Sequence, residues 1–75
     1  MNKLYIVVET NYTGPRFCYE FDIKDQSEIA DCCEKACENA FTQYSEIIEN
    51  QDVPAAELYQ SVRIAELSTA RPFGY

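Results

Sequence analysis

Four cysteines and a row of carboxylates are the residues of this chain with chemistry to offer. Three of the cysteines form Cys32-Cys33-x3-Cys37, and Cys18 stands apart. Thiolates in such numbers suggest zinc or iron ligation, or disulfide exchange. A structural zinc site asks for a Cys-x2-Cys knuckle and further ligands, and the chain contains no histidine to supply one. No Cys-x-x-Cys is present either, so thioredoxin-like exchange has no framework. Without an imidazole, a serine or cysteine nucleophile lacks its usual base, and two glycines do not make a phosphate-cradling loop. No catalytic residue, metal or cofactor is therefore expected, and the chain is read as a non-enzyme.

The carboxylates are the more informative set. Thirteen acids stand against six bases, a net charge of −7. Eleven of the acids fall between Glu20 and Glu57, where Lys24 and Lys35 are the only bases. Within this stretch Glu28, Asp31, Glu34 and Glu38, and then Glu46 and Glu49, recur at three- or four-residue steps. On a helix such residues are neighbours, and each like-charged pair costs a few tenths of a kcal/mol. Solubility alone accounts for an acidic face, but selection for stability would mix the signs. Glu46, Glu49 and Asp52 also crowd a helix C-terminus, where the macrodipole disfavours anions by roughly 0.3 to 1 kcal/mol each. Charges kept at a cost are candidates for binding something positive. Direct contact with nucleic acid or an anionic membrane is excluded, since both need Lys and Arg against phosphate.

The element that must carry these carboxylates is one long amphipathic helix from Asp25 to Asn50. Ile29, Cys33, Ala36, Cys37, Ala40, Phe41, Tyr44, Ile47 and Ile48 form its apolar stripe at helical spacing, with the acids opposite. Cys33 and Cys37 thus read as core residues, because free cysteine packs as a small hydrophobe, and Cys32 falls at the edge of the stripe. Asp25 and Glu28 fit a capping box, with Ser27 a rival cap, and Pro54 ends the helical pattern.

Two strands are predicted before the helix. Leu4–Thr10 is rich in β-branched and aromatic residues, with Leu4, Ile6 and Val8 on one face. Asn11–Pro15 supplies a five-residue hairpin loop. Arg16–Ile23 then alternates cleanly, with Phe17, Tyr19, Phe21 and Ile23 on the side that must face the helix and Cys18 on the other. Beyond Pro54 two readings compete. Ala55, Leu58, Val62 and Ala65 could form a helical stripe, while Tyr59–Leu67 also alternates. A third strand makes the sheet worth covering, so a turn at Ala55–Leu58 and a strand over Tyr59–Ser68 are predicted. The expected fold is α+β, a ββαβ order with the helix on one face of an antiparallel sheet. It forms one domain, with residues 1–68 as core and 69–75 as an irregular tail. On the opposite sheet face Tyr5, Val7, Cys18, Tyr59 and Arg63 are expected to be exposed, and Tyr5, Val7, Tyr59 and Arg63 make a secondary surface suited to a homodimer or partner. No apolar run reaches the roughly 20 residues of a membrane span and the N-terminus lacks a secretory core, so a cytoplasmic location is expected.

In size, acidity and element order the chain resembles small phage-encoded inhibitors of bacterial defence, in particular anti-CRISPR proteins. That resemblance implies a host-cytoplasmic inhibitor that sets carboxylates where a nucleoprotein complex expects phosphates. Here those would be Glu28, Asp31, Glu34, Glu38, Glu46 and Glu49. The order is also similar to the N-terminal half of HicB-like antitoxins, with Phe21-Asp22-Ile23-Lys24 in place of their Pro-Asp-Leu-Pro-Gly. A small dimerisation or interaction module using the exposed sheet face is the competing reading.

Overall fold

The computed structural model describes residues 2–73. Strand β1 (Asn2–Glu9) is the middle of a three-stranded sheet ordered β2-β1-β3, with β2 (Phe17–Ile23) and β3 (Arg63–Ser68) both antiparallel to it. The long helix α1 (Ile29–Ile47) packs on one face, and a short helix α2 (Ala55–Ser61) joins it to β3. This is the predicted α+β arrangement, with the extra helix α2. The helix is also shorter than its sequence pattern. A 3-10 turn over Gln26–Glu28 carries the predicted capping box, and α1 itself runs 19 residues. At 1.5 Å per residue that is about 28 Å, close to the length of the eight-residue β1.

The core follows the two periodicities. Leu4, Ile6 and Val8 of β1 are buried against Cys32, Ala36, Ala40, Tyr44 and Ile48 of α1, with Ile23 and Leu58 at the margins. Phe17, Tyr19 and Phe21 of β2 pack beside them, as the alternation requires. Ala36 and Ala40 are fully buried, and such small side chains let the helix axis approach the sheet closely. Tyr44 is the largest wholly buried side chain, and its hydroxyl sits 3.0 Å from the Val8 carbonyl and 2.8 Å from that of Pro15. Phe17 lies against its ring at 4.8 Å. The hairpin loop is thereby latched to the helix.

Three expectations are corrected. The stripe is rotated slightly: Ala36, Ala40, Tyr44 and Ile48 are buried as predicted and Cys33 and Cys37 pack half-buried against the core, but Cys32, expected at the edge, is the buried thiol, and Ile47 is half exposed. Tyr59 lies on α2 and not on a strand, because Leu58 sinks into the core and Tyr59 meets Phe41 edge-on at 5.4 Å. β3 accordingly starts at Arg63. Val7 is only 1% exposed. It occupies the middle strand, and the tail after Ser68 folds back so that Pro72 is buried and Arg71 comes close to Tyr5 and Cys18. Residues 69–73 carry no regular structure, and Gly74 and Tyr75, also assigned to the irregular tail, lie outside the described residues.

Candidate functional site

The capping box sets where the acidic face begins. Asp25 accepts a hydrogen bond from the Ser27 N–H, while the Glu28 carboxylate accepts from the N–H groups of Lys24 (2.6 Å) and Asp25 (2.9 Å). Those two backbone donors, Lys24 first, hold the Glu28 carboxyl below its ordinary range. Glu28 is thus committed to starting the helix and stands at the foot of the ridge. A carboxyl depressed on folding contributes stability above its unfolded value of about 4.3, and that contribution is lost as pH falls through the folded value. Urea midpoints of the wild type and Glu28→Ala are expected to differ at neutral pH and to converge below about pH 4. A gap that persists in acid would mean the cap does not act through its charge.

Beyond the cap, Asp31, Glu34, Glu38 and Glu46 are exposed on the side of α1 turned from the sheet, and Glu49, predicted on the helix, is exposed in the turn just past its end. Among the described residues none of these five carboxylates takes part in an ion pair or hydrogen bond, and the Lys35 ammonium on the same side is likewise unpaired. The ridge has two parts, Asp31-Glu34-Glu38 and Glu46-Glu49. Between them Thr42 and Ser45 turn their hydroxyls back to the carbonyls of Glu38 and Phe41. From Asp31 to Glu49 the row spans about 27 Å at helical rise, a mean of ~7 Å between successive charges. One DNA strand carries a phosphate per about 3.4 Å. No basic residue occupies the last turn of α1, so Glu46 and Glu49 face the negative end of the helix dipole uncompensated.

The far face of the sheet has the opposite character. Lys3 bridges Asp22 (2.7 Å) and Glu20 (3.7 Å), and Glu9 bridges Arg16 and Arg63, each at 3.0 Å. The Arg63 bond, then the Arg16 charge, hold the Glu9 carboxyl below its usual range, and the Asp22 bond pushes the Lys3 ammonium up. The Glu20 carboxylate beside Tyr5 raises its hydroxyl pKa. Every ion pair among the described residues lies on this face. Of the secondary surface predicted from sequence, Tyr5 and Arg63 are here but engaged, Val7 is covered, and Tyr59 is elsewhere. The sheet face is a closed network and does not present the open aromatic patch expected of it.

The cysteines assemble no site. Among the described residues no three of His, Cys, Asp and Glu come together as a metal would need, and all four thiols are unbridged. Burial pushes the thiols of Cys18, Cys33 and Cys37 above their ordinary value, which leaves less thiolate for chemistry. Native-state alkylation is expected to modify Cys33 and Cys37 before Cys32, read by mass spectrometry at partial labelling. Cys32 reacting first would contradict the rotation of α1.

No protein-family model, curated protein or solved structure matches the chain. No helix is long and apolar enough to cross a membrane among the described residues. What fold and site define together is a class: a small α+β protein with an unneutralised acidic helix on one side and a charge-paired sheet on the other.

Proposed function

We propose that this chain is a non-enzymatic inhibitor that occupies the basic nucleic-acid-binding surface of a larger protein or nucleoprotein complex. Asp31, Glu34, Glu38, Glu46 and Glu49 stand where phosphates would, and Glu28 adds its field from the foot of the row. The observation that supports this is the segregation of charge. Three of the six bases, Lys3, Arg16 and Arg63, are spent on sheet acids, while the five exposed carboxylates on and just beyond α1 have no partner among the described residues. Such a ridge would steer a basic partner toward one face and raise its association rate, more strongly at low salt. The likeness in size, acidity and element order to phage-encoded anti-CRISPR proteins favours a partner among bacterial defence effectors, met in the host cytoplasm.

The test is binding of the intact protein to a panel of purified nucleic-acid-binding defence effectors, with competing oligonucleotide and graded salt. Binding that weakens with salt and is displaced by nucleic acid supports the reading. Salt-insensitive binding, or contact made through another surface, would end it.

A further inference from the structure

We propose that the outer edge of β3 docks a second copy of this chain, β3 antiparallel to β3, so that two three-stranded sheets become one of six strands. With the order β2-β1-β3, both β2 and β3 are edge strands, and an edge offers a row of backbone donors and acceptors to any strand that fits. The two edges differ in what self-pairing would bring together. Centred self-pairing of β2 sets Glu20 directly against its own copy, with Asp22 close by on the same face. Like charges placed directly opposite are destabilising, so this edge is guarded.

Centred self-pairing of β3 meets no such barrier. Ile64 falls opposite Leu67 of the second copy, Ala65 opposite Glu66, and Arg63 opposite Ser68, with each relation repeated by symmetry. The faces agree as well. Ile64 and Leu67 pair across from Val8 and Ile6 of β1, so both lie on the helix side. Arg63 and Glu66 pair across from Glu9 and Val7, so both lie on the far side, and each Arg63 is diagonal to the other copy's Glu66. The register shift between Val7 and Val8 leaves Ala65 as the extra residue of β3, which lets this central position pair with Glu66 of the copy.

The side chains at this edge suit burial. Arg63 to Leu67 are all exposed, and Ile64 and Leu67 are two of the six large hydrophobic residues left in solvent among the described residues, at 37% and 47%. Leu67 also lines an open cavity of about 400 Å³ with Leu4, Ile29, Ser68 and Thr69, room for the copy's Ile64 to settle beside α1. Because the pairing is isologous it closes at two copies, whereas a β2-to-β3 contact would propagate. Both α1 helices then lie on the same face of the joined sheet, and two acidic ridges are presented together. The edge itself is neutral, with one Arg and one Glu per copy, but each chain carries −7. Screening should therefore tighten the dimer as salt rises, opposite in sign to binding of a basic partner, so the two readings stand or fall separately.

Sedimentation equilibrium of the full chain is expected to show a concentration-dependent dimer that strengthens with added salt. Leu67→Glu and Ile64→Lys should each weaken association at least about tenfold. Mixed in equal amounts the two variants should pair again, because the ammonium introduced by Ile64→Lys then meets the carboxylate introduced by Leu67→Glu while the second pair stays apolar. Amide exchange of the wild-type protein gives a measure free of any folding defect, since protection over 63–68 should rise with protein concentration. A wild type that stays monomeric to about 1 mM would overturn the proposal. So would single variants that dimerise like the wild type, a mixture no tighter than its parts, or exchange over 63–68 that ignores concentration.

Discussion

Asp31→Lys combined with Glu38→Lys is expected to weaken partner binding at least about 100-fold, or about 2.8 kcal/mol, without unfolding the protein. Each reversal adds two positive charges, so the net charge moves from −7 to −3. Close charge pairs at interfaces carry roughly 1.5 to 7 kcal/mol of coupling in favourable cases, so the loss should exceed that of generic surface changes. The same variant should stay folded with little net change in stability, because Glu34 gains unlike neighbours at helical spacing while Lys35 gains like ones and the first turn of α1 loses its acid. A loss of binding with the fold intact is the signature of charge placed for binding. Asp22→Lys with Glu57→Lys is the matched control, with the same change in net charge at the sheet and α2. If both pairs reduce binding equally, only total charge matters and the ridge has no special role. If neither reduces it, the contact lies elsewhere.

The second large effect falls on Tyr44. A domain of 75 residues has a total stability of about 4 to 11 kcal/mol. Tyr44→Ala empties the centre of the core between α1 and the hairpin, at about 3 to 5 kcal/mol for an aromatic truncation, enough to leave much of the protein unfolded at growth temperature. Tyr44→Phe is the sharper test. It keeps the ring against Phe17 and removes only the hydroxyl that faces the carbonyls of Val8 and Pro15. Leaving the buried Val8 carbonyl without its donor costs about 1 to 3 kcal/mol, which at this size lowers the melting temperature by roughly 5 to 20 °C. Amide exchange should rise first in the loop after β1, which the hydroxyl ties down. A Tyr44→Phe melt that overlays the wild type would show that the latch is not structural.

Local pattern was enough for those features whose cause is local. The alternation of Phe17, Tyr19, Phe21 and Ile23 assigned a face to every residue of β2, because a period of two admits one answer once one side is buried. The capping box at Asp25 and Glu28 needs only three residues of spacing, and it formed as read. The acidic positions from Asp31 to Glu46 were readable as exposed helix residues for the same reason, while Glu49, read on the helix, falls in the turn beyond it.

Features set by how elements meet were not readable in this way. Neighbouring residues on a helix differ by about 100° in direction, so a small rotation of α1 on β1 exchanged the roles of Cys32 and Cys33. Helix and strand periodicities competed over Ala55–Leu67, and the burial of Leu58 with the Tyr59–Phe41 contact decided for helix through Ser61. Glu28 looked like any other acid of the row until two backbone N–H groups claimed it. The burial of Val7 depended on its strand lying between β2 and β3, an order that no single strand's pattern states. Composition and spacing thus determined which residues are apolar, which are acidic and how each element faces. The three-dimensional packing determined which carboxylates remain unneutralised and which edge stays open, because both depend on partners distant in the chain.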